Sequence, residues 1–488
     1  KKMNHNFKKT FIFGADTAAY QAEGAANTGG KGENLWDSFL HRSESKFNLD
    51  EAVDFYHRYH EDLQIGKEFG FQAIRISIAW ARIFPDKTRV PNMEGVQYYV
   101  DLLKACRKIG IEPYVTLHHF DSPKWVYDEG DFLNKKAIGW FTEYAKYCFE
   151  KFSPYVNYWF TFNETFVYGS DKFLIGEAPP QHIGRVDELI QQIHNMTVAH
   201  ARVVNLFKDA KFPGEIGIVH VLQPKYPFDS NNELDVIAAE RATSLYSGLM
   251  LDGNFLGGYS EKHLNNIKTI LAVNNATVDI LDSELEELKE AKDKTDCLGI
   301  NYYGPAWFKG GDCETKITHN GTGEKGKSIY QIKGIGKSER PDFVPTNDWD
   351  WTIWPQGLTD ILLWVKENYE NYRHIYITEN GLGYKETLPS DKKICDDYRI
   401  DFTADHLKAV HMAIENGVQV DGYFAWSWMD VPSWTNGFNK RYGLIFVNYD
   451  SAGLERYPKL SAYWYRQVIK THSLDINMKK IKDEYLND

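Results

Sequence analysis

Eight short runs of apolar, β-branched and aromatic residues recur along this chain with helical patterns between them, and that alternation constrains the fold more than any other feature. The runs are "TFIFGADTA" (10–18), "AIRISIAW" (73–80), "EPYVTLHH" (112–119), "NYWFTFNE" (157–164), "EIGIVHVL" (215–222), "CLGINYY" (297–303), "IYITEN" (375–380) and "GYFAWSW" (422–428). Strands that alternate with helical stretches argue for a parallel sheet, because each parallel connection must cross over the sheet face. Eight strands close a (β/α) barrel, and α/β barrels exceed the usual domain length. The expectation for these 488 residues is therefore an α/β chain, a single (β/α)8 TIM barrel over 1–488 with long loops on the C-terminal face of the strands.

The segments between the runs carry helical spacing. In "VQYYVDLLKACRKIGI", Val96, Val100, Leu103 and Ile109 approximate one face, and Gly110 is placed to end the helix. "DEAVDFYHRYHEDLQIGKEFG" and "LTDILLWVKENY" read the same way. The stretch 304–357, with its "KGGDCETKITHNGTGEKGKS", reads as a long polar, Gly-rich loop. On a barrel such insertions gather at the C-terminal mouth, where sites lie. Aromatics make up 15% of the chain; core packing accounts for most of them, and a minority share is assigned to lining a site for a flat or ring-shaped ligand.

Polar residues fall at the ends of these runs: Arg75 in the second, His119 after the third, Asn163 and Glu164 after the fourth, Asn301 and Tyr303 after the sixth, Glu379 and Asn380 after the seventh, and Trp426 in the eighth. A carboxylate at the end of a buried strand costs desolvation unless it is paired or used. Glu164 and Glu379 are 215 positions apart, yet a closed barrel brings both to one mouth. Two such carboxylates suit glycoside hydrolysis, one as acid and the other as nucleophile or base; about 5–5.5 Å between them means retention and about 6.5–9.5 Å inversion. Arg75 and Tyr303 are candidates to keep Glu379 ionised. One Glu alone is more often half of a structural ion pair; two of them, flanked by Asn and joined by His, Arg and Tyr, favour a site.

His119, in "LHHFD", lacks neighbours at zinc-ligand spacing and is read as a sugar-hydroxyl contact. Gln21 has an amide able to bridge two hydroxyls, and Trp426 offers a platform for a sugar face. The net charge of −12 argues against a nucleic-acid partner, which needs a basic footprint. The five cysteines are odd in number and scattered, so they read as reduced thiols. The start "KKMNHNFKKTFIFG" has no apolar leader core, and nowhere do about eighteen apolar residues run together. The chain is thus expected to be cytoplasmic, with no membrane partner and with Met3 a candidate natural start.

"TFNE", "ITENG", "NYY", "YQAEGA" and "WSWMD" resemble the hallmarks of the family-one glycoside hydrolases, over residues 11 to about 465. That resemblance implies a retaining β-glycosidase on a (β/α)8 barrel with no metal or organic cofactor, Glu164 as acid/base and Glu379 as nucleophile. It also implies sugar contacts from Gln21, His119, Asn163, Asn301 and Trp426. Thr165 stands where the family commonly has Pro, and His118 and Phe120 where Tyr and Trp are frequent; these are expected to tune packing.

After the eighth run the chain reads "DVPSWTNGFNKRYG" (430–443). Plain β-glucosidases of the family carry a Glu where this chain has Ser433, and loss of that carboxylate removes a charge that repels phosphate. Ser433, Lys440 and Tyr442 resemble the phosphate-binding set of the 6-phospho-β-glycosidases, and the following "TNGF" turn is placed to fold Lys440 and Tyr442 back toward Ser433. Trp434 resembles the residue that reaches the axial O4 in members cleaving 6-phospho-β-galactosides, with Pro432 beside it where Phe is usual. The implied partner is a small phosphorylated disaccharide such as lactose 6-phosphate, cleaved to galactose 6-phosphate and an alcohol or sugar. The competing readings are a 6-phospho-β-glucosidase or dual-specificity enzyme, a plain β-glycosidase, and a non-catalytic sugar-phosphate-binding barrel.

Overall fold

All eight expected runs form strands in the computed structural model, which describes residues 4–488; the candidate start Met3 lies outside the described residues. They are β1 (Ile12–Asp16), β2 (Ala73–Ser77), β3 (Glu112–His118), β4 (Tyr158–Asn163), β5 (Glu215–Val221), β6 (Cys297–Asn301), β7 (His374–Glu379) and β8 (Gly422–Ala425). Each pairs in parallel with the next, and β1 pairs with β8, Ile12 opposite Gly422, to close the barrel. Both faces of a barrel strand are covered, which is why the runs are apolar throughout instead of alternating; every residue of β2 and of β6 is buried.

Tyr114, Phe160, Val219, Cys297, Tyr376 and Phe424 fill the inside of the barrel. The Tyr114 ring packs edge-on against Phe424 and Tyr376, with centroids 5.0 and 5.2 Å apart. A barrel plugged by side chains is a core and not a pore, so the mouth at the strand ends is the space left for a ligand.

The outer layer includes α1 (Phe55–Glu68), α2 (Met93–Ile109), α3 (Lys136–Phe152), α4 (Val186–Asp209), α5 (Asp282–Ala291), α6 (Gln356–Asn368), α7 (Asp397–Glu415) and α8 (Leu460–Thr471). Gly110 ends α2 at φ +82°, a left-handed cap that glycine takes without a Cβ penalty. The buried stripe of α2 is Val96, Tyr99, Leu102, Leu103 and Cys106, whereas Val100 and Ile109 are only half-buried. The aliphatic residues by themselves misplace the stripe because Tyr99 and Cys106 carry part of it. α1 begins later than its pattern, at Phe55, since Ala52 and Asp54 adopt left-handed φ of 47° and 55° and break the helical path.

The stretch 304–357 is not a plain loop. Ala306–Lys309, Lys316–Thr318, Ile329–Ile332 and Gly336–Ser338 join Lys225–Pro227 in a second, five-stranded sheet. These strands are three or four residues long, too short for period-two alternation to stand out among the glycines and lysines around them. All five cysteines are free thiols; Cys106, Cys148 and Cys297 are buried, Cys313 is half-buried and Cys395 exposed. No helix among the described residues is long and apolar enough to cross a membrane.

Candidate active site

The barrel brings the polar strand ends together at one mouth. Arg75, fully buried on β2, donates from Nη1 to Glu379 Oε2 at 2.7 Å and from Nη2 to Asn163 Oδ1 at 2.6 Å. Tyr303 donates its hydroxyl to the other Glu379 oxygen, Oε1, at 2.6 Å. Both expected partners of Glu379 are therefore in contact with it, one on each oxygen, an arrangement that suits a carboxylate. Arg75 Nε also donates to Thr116 Oγ1 at 3.2 Å, which fixes the plane of the guanidinium.

Glu164 follows β4 with φ +53°, a left-handed conformation that costs a side-chain-bearing residue energy and is held here by its neighbours. Its N–H donates to Val219 O at 2.9 Å, and its Oε2 accepts from Asn301 Nδ2 at 2.6 Å. Burial first, and then the charge of Glu379, push the Glu164 carboxyl up to about 8, with Asn301 and Arg75 opposing. The pairing register slips in β4 between Phe160 and Asn163 and in β7 between Ile377 and Glu379, the strand ends that carry the two carboxyl groups. Such irregularities re-aim side chains next to sites.

Asn163 and Asn301 link the two carboxyl groups. Asn163 Oδ1 accepts from both Arg75 and Asn301 Nδ2, the latter at 3.1 Å, while Asn301 Oδ1 accepts from Thr378 Oγ1 at 2.6 Å. With its oxygen so occupied, Asn163 presents Nδ2 to His119 Nε2 at 3.2 Å, which leaves the imidazole proton on Nδ1. His119 is held neutral by burial and then by the charge of Arg75, and its Nδ1 has no protein partner. Gln21 donates Nε2 to Pro432 O at 2.9 Å and keeps Oε1 unpartnered, so one end of the expected bridging amide is taken by backbone. The indoles of Trp426 and Trp434 each lie nearly parallel to the His119 ring, 6.1 Å away.

Two cavities meet at Glu164. The inner one, about 140 Å³, is bordered by Gln21, His119, Asn163, Glu379, Trp426, Ser433, Trp434 and Tyr442. The outer one, about 630 Å³, runs out along the second sheet and is bordered by Trp307, Ser328, Tyr330, Arg340 and others. Glu164, Val167, Tyr303 and Trp351 border both, whereas Glu379 borders the inner cavity alone.

The stretch after β8 folds back as its sequence suggests. Ser433 and Gly437 exchange backbone hydrogen bonds of 2.8 and 3.0 Å, closing the turn. Ser433 and Tyr442 border the inner cavity. Lys440 does not; its ammonium lies 3.4 Å from the centroid of Trp351, which does. Lys440 is 1% exposed, its Nζ has no hydrogen-bond partner, and burial holds it well below the usual lysine range. The adjacent Arg441 is the opposite case, satisfied by Asp430 Oδ2 at 2.9 Å and Val447 O at 2.8 Å. Trp434 is packed by Trp36 and Tyr20 at 4.9 and 5.7 Å and by the edge of Phe120 at 5.4 Å.

Of the family departures, Phe120 stacks on Tyr168 and His118 is buried, hydrogen-bonded to Ser122 Oγ at 2.9 Å within an aromatic cluster, so His118 is a packing residue. Several wall residues escaped the sequence reading. Trp351 and His319 come from the second-sheet insertion, and His319 contacts Thr435 Oγ1 and Tyr330 OH, each at 3.2 Å. Asp16, at the end of β1, was legible by the same rule that picked the other strand-end polar residues.

The family model for glycosyl hydrolase family 1 matches residues 3–474. A protein named 6-phospho-beta-galactosidase from Staphylococcus aureus (strain N315) is 49% identical over 473 residues, which is 97% of this chain and 100% of that protein. Among solved structures, the family 1 β-glucosidase from Thermotoga maritima superposes with a TM-score of 0.85 at 30% identity, covering 97% of this chain and 100% of that one. The β-glucosidase BglU from Micrococcus antarcticus gives 0.87 at 30% identity, with 96% and 98% covered. With a family match over nearly the whole chain and the barrel that such enzymes share, this chain belongs to glycosyl hydrolase family 1.

Proposed function

We propose that this enzyme is a retaining 6-phospho-β-galactosidase, cleaving 6-phospho-β-galactosides such as lactose 6-phosphate to galactose 6-phosphate and an alcohol or sugar. The observation that carries the phosphate reading is Lys440: a buried ammonium without an acceptor is costly, and a dianionic phosphate supplies the missing partner. Ser433 and Tyr442 add hydroxyl donors at the neighbouring cavity wall. The 49% identical relative carries the same activity in its name.

In this reading the sugar occupies the inner cavity and the leaving group the outer one. Glu379, held by Arg75 and Tyr303, attacks the anomeric carbon while Glu164 gives its proton to the glycosidic oxygen. A carboxyl pushed up to about 8 is protonated at neutral pH and so is ready to act as an acid. Glu164 then takes a proton from water, which attacks the same carbon and frees Glu379, giving overall retention. His119 Nδ1 and Gln21 Oε1 offer one free donor and one free acceptor to sugar hydroxyls. Trp434 takes the axial O4, Trp426 the sugar face, and Asn163 and Asn301 orient the acid and the ring hydroxyls near it. The whole chain, 1–488, serves as one catalytic barrel working in the cytoplasm, without a cofactor.

The test is a four-way comparison of nitrophenyl β-galactoside, nitrophenyl β-glucoside and their 6-phosphates. The galactoside 6-phosphate is expected to be cleaved with the highest kcat/KM. Equal rates for the plain and phosphorylated galactosides overturn the phosphate assignment, and equal rates for the two 6-phosphates make the enzyme dual-specific.

A further inference from the structure

Asp16 ends β1 as a carboxyl group that is 0% exposed and has no hydrogen-bond partner on either oxygen. Its Oδ1 lies 3.8 Å from Arg75 Nη1, the same nitrogen that donates to Glu379 at 2.7 Å. One buried guanidinium thus faces two carboxyl groups and is bonded to only one of them.

We infer that Asp16 is the alternate counterion of Arg75, ionising to balance that charge while Glu379 is tied up as an ester in the glycosyl-enzyme. The inference rests on Glu379 being the nucleophile. In the free enzyme, Arg75 and ionised Glu379 already sum to zero, and a second ionised carboxyl would leave the buried cluster negative. Burial therefore holds Asp16 well above the usual carboxyl range, with Arg75 opposing and the charge of Glu379 adding to the effect. When a Glu379 oxygen bonds to the anomeric carbon and the bond to the leaving oxygen breaks, Glu379 loses its charge. Glu164, left as a carboxylate by the proton transfer, bonds to Asn301 and makes no ion pair with Arg75, so Arg75 has lost its bonded anion and the repulsion from Glu379 that kept Asp16 protonated is gone. Asp16 releases its proton to solvent and Arg75 again faces a directly paired anion. Attack by water regenerates the Glu379 carboxylate, and Asp16 takes a proton back.

The ionisable groups around Asp16 are consistent with this exchange. Arg75 faces it from β2, Glu379 from β7, Tyr423 from β8 and Tyr465 from α8, and both phenols are held neutral, burial being the main cause and Asp16 a further one. Arg75 is thus the one cation of the set. Asp16 acts through Arg75 and touches no substrate, so it is a positioning residue.

The experiment traps the glycosyl-enzyme with 2,4-dinitrophenyl 2-deoxy-2-fluoro-β-galactoside 6-phosphate, whose leaving group departs as an anion without needing a proton. Protons released per dinitrophenolate are counted with a pH indicator in weak buffer near pH 7. In Glu164→Gln the acid residue contributes none, and proton changes at the phosphate and at Lys440 are common to the variants. The Asp16 proton is therefore read as a difference: Glu164→Gln is expected to release up to one proton more than Glu164→Gln combined with Asp16→Asn or Asp16→Ala. Wild type is expected to release up to one proton more than Asp16→Asn. The same count with and without Asp16, in either background, overturns the inference while leaving the nucleophile assignment intact. Absence of the adduct on Glu379 by peptide mass spectrometry overturns that assignment and the counterion role with it.

Discussion

The Lys440 ammonium lies 3.4 Å from the centroid of the Trp351 ring and bonds to no acceptor. A cation–π contact offsets part of the desolvation of a buried charge but does not replace a hydrogen bond. Lys440→Met is therefore expected to stabilise the empty protein, seen as a higher urea midpoint. The same change is expected to lower kcat/KM on 6-phosphorylated substrates by about ten- to hundredfold, the loss of a charge-assisted hydrogen bond of about 1.5–3 kcal/mol. Hydrolysis of the unphosphorylated galactoside should barely change. A destabilised Lys440→Met protein, or equal losses on both substrates, would count against an anion site.

Glu164 has to be protonated to act as an acid, and its carboxyl is pushed up to about 8. In wild type, kcat/KM is expected to fall as pH rises through about 8. In Glu164→Gln, substrates with activated leaving groups should still form the glycosyl-enzyme and lose that basic limb, while poor leaving groups should not react. Retention of the limb in the variant would assign it to another group.

At the opposite end of the barrel, His374 Nδ1 pairs with Asp421 Oδ2 at 2.7 Å and its Nε2 lies 3.4 Å from Glu215 Oε1. The hydrogen bonds to Asp421 and Glu215 raise the imidazole to about 9. A histidine raised in the folded state gives stability that is fully present below its unfolded value of about 6.5 and lost as pH rises through about 9. Denaturant midpoints are expected to decline across that window in wild type, and the decline should be reduced in His374→Gln. Parallel curves would show that the pair contributes nothing.

Phe424 is 0% exposed inside the barrel, against Tyr114. Phe424→Ala is expected to cost about 3–5 kcal/mol, because the closed strand ring cannot collapse into the void. Chemical denaturation measures it directly, and a cost under about 1 kcal/mol would mean that the interior repacks.

Glu164 and Glu379 show how much of the site could be read from sequence. Each ends an apolar run, and the rule that unpaired carboxylates avoid buried strand ends marks both. Arg75, Tyr303, Asn163, Asn301, His119 and Trp426 follow from the same positions, Ser433 comes only from the resemblance of the stretch after the eighth run, and the structure gathers all of them around one mouth. Trp351 and His319 stayed hidden because they sit on an insertion whose strands are only three or four residues long. Lys440 and Arg441 are neighbours of equal charge that no local pattern separates; the family resemblance alone picks out Lys440. Only the fold leaves one unpaired and gives the other to Asp430.

The sequence by itself determined the barrel, its eight strands and the chemical character of the mouth, because burial on both faces of a strand and polarity at its end are local properties of the chain. The tertiary structure decided what depends on closure: that Arg75 bridges Glu379 and Asn163, that Asn301 holds Glu164, and that Asp16 comes within 3.8 Å of Arg75. Those contacts join residues as far apart as 304 positions, and no local pattern records them. Their geometry, together with the exclusion of water from around it, sets which carboxyl carries a proton.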